Sequence, residues 1–205
     1  MARDPYLDAY RRSHAQHGPD FRVTLWASPQ SQRRRFEVFT EMCFLAGKRV
    51  LDAGCSRGDF AAFMVEHEIA FAQYVGVDAL CDVIDYAQGR GLPHCRFLCG
   101  DFVHQPELLR LGEPQVICIS GTLNTMSDDD AMAVLDAAWR AAGEALLFNF
   151  LGDRAGPEAP PQDDPARRHD TMRIFDWATR RSTAVAFRND YFPAGHDATI
   201  LMRKP

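Results

Sequence analysis

Apolar residues along this chain recur with two different periods, and the alternation between them sets the expected fold. From residue 48 onward, short apolar and β-branched runs are separated by stretches with helical spacing. The runs over 48–53 (KRVLDA), 74–77, 95–99, 115–120 (QVICIS) and 144–151 (EALLFNFL) predict strands. Between them, 58–67 places Phe60, Phe63 and Met64 on one helical face. A second helix is predicted over 81–90, and an alanine-rich one over 128–142 with Ser127 or Asp128 as its N-cap. Continuous apolar strands joined by helices predict parallel βαβ units with both sheet faces covered.

Two regions depart from that rhythm. Residues 1–46 precede the first strand and predict a helical cover, with Phe36, Phe39 and Met42 or Cys43 on one face. Residues 152–168 (GDRAGPEAPPQDDPARR) are polar and proline-rich, which predicts a mobile surface loop. A helix over 169–180 follows, then strands over 182–187 and 198–202 joined through 189–197. No internal repeat is visible, and 1–205 reads as one domain, long enough to bury a core without disulfides.

Composition narrows the function classes. A net charge of −5, with 46% hydrophobic and 25% charged residues, is ordinary for a globular protein and argues against nonspecific nucleic-acid binding. Arg33, Arg34 and Arg35 form a local exception, read as a solvated helix face. The six cysteines (Cys43, Cys55, Cys81, Cys95, Cys99, Cys118) show no CxxC pair and no zinc spacing. The reading is therefore reduced thiols packed as small hydrophobes in a cytoplasmic protein, with no metal site. No signal-like segment and no apolar run of membrane-spanning length is seen.

The chemistry concentrates in 50–60, VLDAGCSRGDF. Glycine after a buried strand lets the backbone turn sharply and approach a ligand, and the following helix starts with free N–H groups. A dinucleotide site would favour G-x-G-x-x-G, whereas this turn offers Gly54 and Gly58 around Cys-Ser-Arg. It resembles the first motif of class I S-adenosylmethionine-dependent methyltransferases, (V/I)LDxGCGxG. Ser56 stands where the family's third glycine stands, which is tolerable if its φ is negative.

Further segments resemble the same family in order: YVGVDAL ending near Asp78, FLCGDF around Asp101, and QVICISGTLNTM with Ser120 and Gly121. The resemblance implies an α/β Rossmann-like fold, a seven-stranded sheet in the order 3-2-1-4-5-7-6 with strand 7 antiparallel. It implies S-adenosylmethionine as the methyl donor, with S-adenosylhomocysteine as the product. Donor contacts are implied for Asp52, Gly54, Cys55, Ser56 and Gly58 in the turn, and for Asp78 and Ala79 beside the ribose hydroxyls. Gly100, Asp101 and Phe102 would meet the adenine, and Ser120 and Gly121 the methyl-bearing end.

HGPDFRVTLWASPQSQRRRFEVF resembles the lead-in of a bacterial branch of these enzymes, which implies Trp26, Gln32 and Arg35 near the donor, Arg35 as partner of its carboxylate. The structural alternative is Trp26 as a packing residue and Arg35 on the surface. Methyl transfer needs alignment and exclusion of water, and a base only for a protonated acceptor. Candidates for the base are His14, His17, Tyr191 and His196, with Asn124 and Asn149 as orienting amides. Asn149, in a buried strand, is expected to contact ligand, and His196-Asp197 to serve a turn or cap. The expected acceptor is a small molecule, with no nucleic acid and no membrane; residues 1–46 and 152–168 would act as lids. The rivals are an RNA or protein methyltransferase docking through Arg33, Arg34 and Arg35, a noncatalytic donor-binding regulator, and, with the wrong glycine spacing, an NAD(P) oxidoreductase.

Overall fold

A computed structural model describes residues 4–162 and 164–205; residues 1–3 of the expected cover and residue 163 of the expected loop lie outside the described residues. The chain begins with α1 (Pro5–His17), a 3-10 turn (Phe21–Thr24) and α2 (Pro29–Met42), and then enters the sheet. There follow β1 (Arg49–Ala53), α3 (Asp59–Glu66), β2 (Gln73–Asp78), α4 (Cys81–Gly89), β3 (Cys95–Cys99) and β4 (Val116–Ile119). The chain ends with α5 (Asp128–Ala141), β5 (Ala145–Leu151), α6 (Thr171–Thr179), β6 (Ala184–Arg188) and β7 (Asp197–Arg203).

Among the described residues these strands form one sheet in the order β3-β2-β1-β4-β5-β7-β6. The pairs from β3 to β5 are parallel, and β7 runs antiparallel to both β5 and β6. The expected architecture, order and antiparallel strand are therefore present.

Period-two alternation explains why both faces are covered. Leu51, Ala53, Val75 and Val77 join the apolar cluster under α5 and α6, while Val50 and Tyr74 face the opposite cluster with Phe36, Phe60 and Phe63. The helix starts are written locally. Ser28 Oγ accepts from Ser31 N at 3.1 Å and Ser28 N donates to Ser31 Oγ at 3.3 Å, with Pro29 in the first turn of α2. Ser127 Oγ accepts from Asp130 N at 3.1 Å at the head of α5.

Two expectations are corrected here. Cys81 and Cys99 form a disulfide joining the start of α4 to the end of β3, so the cysteines are not all reduced thiols. Cys43, Cys55 and Cys118 are the buried free thiols, and their packing among apolar side chains matches the expected role. The arginine run is not one solvated face either. Arg33 pairs with Glu66 and Arg34 with Glu37 and Glu41, but Arg35 is turned inward and buried. No described helix is long and apolar enough to cross a membrane.

Candidate functional site

The parallel strands β1, β2 and β4 and the turn after β3 all deliver their C-terminal ends to one place, where open α/β sheets bind ligands. A cavity of about 830 Å³, counting its open mouth, lies there. The glycine turn forms its floor. Gly54 has φ +84, and a Cβ on it would fall 2.0 Å from Thr122 Oγ1, so the close approach of the β1 and β4 loops requires glycine. The turn is then tied to β2: Gly54 N and Cys55 N both donate to Val77 O, and Ser56 N donates to Asp78 Oδ2 at 2.9 Å. Ser56 has φ +46, which corrects the expected negative value; the left-handed turn is kept and the bond to Asp78 helps hold it.

Twelve of the expected donor residues border this cavity: Asp52, Gly54, Cys55, Ser56, Asp78, Ala79, Asp101, Phe102, Ser120, Gly121, Trp26 and Gln32. Gly58 and Gly100 do not, which corrects their expected role. Gly58 sits at the N-cap of α3 with φ +70, against the ring of Phe97, and Gly100 lies against Leu108, so both serve packing and turning. Arg35 is likewise outside it. Its Nε donates to Asp197 Oδ2 at 2.7 Å and its Nη1 to Ser31 O at 2.8 Å, while the ring centroids of Trp26 and Phe192 lie 4.2 and 4.6 Å from its guanidinium carbon. A guanidinium already neutralised by a buried carboxylate and covered by two rings is not a free partner for a donor carboxylate.

The carboxylates dominate the electrostatics. Asp52, Asp59, Asp78 and Asp101 all line the cavity, and no lysine, arginine or histidine does among the described residues. Asp52 is almost fully buried; its Oδ2 accepts from the Tyr74 hydroxyl, and its Oδ1 has no partner. Burial pushes its carboxyl up to about 7, opposed by the Tyr74 hydrogen bond. Asp59 Oδ1 accepts from Arg90 Nη1 at 2.8 Å, and its Oδ2 is also buried without a partner. Asp78 accepts one backbone N–H on each oxygen, from Ser56 and Leu80, which aims the carboxylate and leaves lone pairs over. Burial raises its pKa above the ordinary carboxylate value.

The N-terminal segment roofs the cavity through residues the sequence reading missed. Tyr6 and Tyr10 of α1 and Thr24 line it, and the Tyr6 hydroxyl donates to Asp101 Oδ2 at 2.5 Å. Nearby, His104 Nε2 and Asp4 Oδ1 lie 2.7 Å apart, which raises the His104 pKa and lowers that of Asp4. Tyr6 and Tyr10, one helical turn apart, were the available signal; Asp59, first residue after the glycine turn, was another.

Of the catalytic candidates, Asn124 and His196 border a second cavity beside this one, and His14, His17, Asn149 and Tyr191 border neither. Asn149 is fully buried, accepting from Gly121 N at 2.7 Å and donating to Ser120 Oγ at 3.3 Å; it holds the end of β4 and is not a ligand contact. Asn124 Oδ1 accepts from Leu151 N at 2.9 Å, a tie between the β4 loop and β5. Tyr191 is buried against Asp197 and Thr199, its hydroxyl pKa raised mainly by burial, and borders neither this cavity nor the one beside it. His14 faces Asp82 and His17 ends α1, both away from the cavity. Asp197 serves as partner of Arg35 and Tyr191 and not as a turn or cap residue, while His196 stacks on Phe192.

Residues 50–143 match the family model described as a methyltransferase domain. That match spans a little under half of the chain and covers β1 to α5, the part that carries the glycine turn. The fold of the chain is similar to magnesium protoporphyrin IX methyltransferase from Synechocystis PCC 6803, solved with bound SAH (16% identity, 98% of this chain and 95% of that one, TM-score 0.64). It is similar to a SAM-dependent methyltransferase from Archaeoglobus fulgidus (15% identity, 96% and 100%, TM-score 0.67). It is also similar to the small RNA methyltransferase HEN1 (12% identity, 85% and 25%, TM-score 0.67). No curated protein matches the chain. Fold neighbours this diverse leave the function of the chain to be argued from its own residues.

Proposed function

We propose that this chain is an S-adenosylmethionine-dependent methyltransferase acting on a small-molecule acceptor. The observation that carries the donor half is the cation-free cavity lined by four carboxylates, two of which keep a buried oxygen without a partner. Such a cavity repels the phosphates of a dinucleotide and suits a ligand rich in hydrogen-bond donors and positive charge. S-adenosylmethionine, the cofactor of this class of domain, has that character, and it supplies a methyl group already activated on a sulfonium.

The chain's own residues would divide the work. Asp78, held by Ser56 N and Leu80 N, would accept from the ribose hydroxyls, and Asp101 with Phe102 would meet the adenine. Asp52 and Asp59 would take the ammonium end. Trp26, whose ring lies where a Cβ on Gly121 would fall, would close the methyl-bearing end against water.

A small acceptor is favoured over RNA because Arg33 and Arg34 are already paired with glutamates and Arg35 is buried, so no basic docking patch remains there. A second cavity that shares lining residues with the first supports an enzyme over a noncatalytic donor-binding module. A cytoplasmic location belongs to the same proposal, and there the Cys81–Cys99 bond would face a reducing glutathione pool.

The test is calorimetric titration of the purified protein with S-adenosylmethionine and S-adenosylhomocysteine. Both are expected to bind, and Asp78→Ala is expected to weaken binding at least tenfold with the fold retained. Absence of binding by either ligand would overturn the proposal.

A further inference from the structure

Beside the donor cavity lies a second one whose chemistry is opposite. It encloses about 1170 Å³, counting its open mouth, and shares the wall residues Tyr10, Thr24, Trp26, Gly121 and Thr125 with the first. A molecule in each would therefore meet across that shared wall. The second cavity is largely apolar, built from Trp26, Phe192, Leu151 and Pro160, Pro161 and Pro165 of the 152–168 segment. Sites of this size and composition accept small molecules, with a few polar groups fixing orientation.

Three polar groups stand out on that wall. The Arg168 guanidinium donates to the carbonyl oxygens of Gly152, His196 and Pro160 at 3.2, 3.3 and 3.0 Å. Carbonyls orient a guanidinium but do not cancel its charge, and among the described residues no carboxylate forms an ion pair with Arg168. Arg35, on the same wall, differs in being neutralised by buried Asp197. The second group is His196, whose Nδ1 is buried without a partner and whose pKa is lowered mainly by burial, so the ring is held toward neutrality. The third is Thr125, whose Oγ1 is buried beside the Tyr10 hydroxyl at the junction of the two cavities. Asp164, the one carboxylate on this wall among the described residues, is exposed on the outer segment.

Resting on the methyltransferase reading above, we infer that this second cavity is the acceptor site and that it takes a small molecule carrying a carboxylate or phosphate on an apolar body. Arg168 holds the anion, with donors of its fork that no described residue takes up. His196 gains a partner from the acceptor's polar atoms, and the end nearer Thr125 faces the donor cavity. The charges are complementary: an acidic cavity for the cationic donor and an arginine-bearing cavity for an anionic acceptor.

The experiment saturates the full-length protein with S-adenosylhomocysteine and titrates benzoate and phenyl phosphate against their neutral counterparts, benzamide and benzyl alcohol. At least one anion is expected to bind tenfold more tightly than its neutral counterpart, and the better of the two identifies carboxylate or phosphate as the group recognised. Arg168→Gln is expected to abolish that preference while S-adenosylhomocysteine affinity stays within about twofold. Arg168 also ties three backbone segments, so Arg168→Lys is run in parallel; it keeps the charge and should keep part of the preference. Equal binding of charged and neutral probes to the unmodified protein, or a preference that survives Arg168→Gln, would overturn the inference. If S-adenosylhomocysteine itself fails to bind, it is the donor reading that falls. If it binds and no anion is preferred, only the acceptor assignment does.

Discussion

At Gly54 two demands coincide: a left-handed φ of +84 and a neighbour, Thr122 Oγ1, that would lie 2.0 Å from any Cβ. Gly54→Ala must move the β4 loop or flatten the turn, so it is expected to cost about 1–3 kcal/mol in stability. It should also weaken S-adenosylhomocysteine binding by more than an order of magnitude, read by urea unfolding and calorimetry; unchanged affinity would show that the turn does not shape the donor site. Asp52 makes a prediction of a different kind. Its carboxyl ordinarily titrates at 3.8 and is pushed up to about 7 by burial, so between those values the folded chain holds a proton that the unfolded chain has released. Its contribution to stability is therefore complete below pH 3.8 and lost as pH rises through 7, with a slope of at most about 1.4 kcal/mol per pH unit. Asp52→Asn, which cannot ionise, should show a flatter fall in unfolding free energy from pH 5 to pH 7.5 without ligand. Parallel profiles for the two proteins would count against a buried protonated Asp52. At this scale the sequence was readable where chemistry is local, as at Asp78 and Gly54. It was opaque where a side chain's partner lies far along the chain: the partner of Arg35 is 162 residues away, and only the fold brings Asp197 to it.

Among the elements, α1 has the most direct hold on the site. Tyr6 and Tyr10 project into the donor cavity from above, and the Tyr6–Asp101 bond latches the helix to the turn after β3. A bound donor must pass or lift this helix. Tyr6→Phe removes the latch without removing the ring, so S-adenosylhomocysteine should dissociate several-fold faster with a smaller change in its association rate, as stopped-flow fluorescence of Trp26 would report. A dissociation rate equal to that of the unmodified protein would place the gate elsewhere. The strands and the helices that follow β1 were legible within one or two residues because their apolar periods persist over whole elements, as in β5 and α5, whereas α1 and α2 were legible only as a helical cover. The 3-10 turns at Phe21–Thr24, Pro106–Arg110 and Thr122–Thr125 were not, since four or five residues carry too little periodicity, yet two of them border the cavities.

Taken as a whole, the molecule divides into a donor half that follows from a short contiguous pattern and an acceptor half assembled from distant pieces. The Rossmann-like order repeats one βαβ unit, each strand ending at the same edge, so a motif at one strand end locates the rest. The second cavity draws on the α1–α2 region, the β4 loop, the 152–168 segment and the approach to β7, and no local signal connects them. The disulfide is a property of the same global assembly. Cysteine spacing showed no recognisable pairing, but parallel pairing of β2 with β3 sets Cys99 beside Asp78, just before α4 begins at Cys81. The bond closes a loop of 18 residues, a length for which chain entropy assigns roughly 3 kcal/mol to the crosslink. For a chain of this size that is a fall in Tm of about 6–12 °C on reduction, before any relaxation of the folded state. Cys81→Ser should show the same fall without reductant and no further fall with it, because Cys43, Cys55, Cys95 and Cys118 are already free thiols. Cys81 and Cys99 also frame the side of the donor cavity bordered by Asp78, Ala79 and Asp101, so the reduced protein is expected to bind S-adenosylhomocysteine more weakly as well. A Tm that ignores both reductant and Cys81→Ser would mean that the two thiols are not joined in the folded protein.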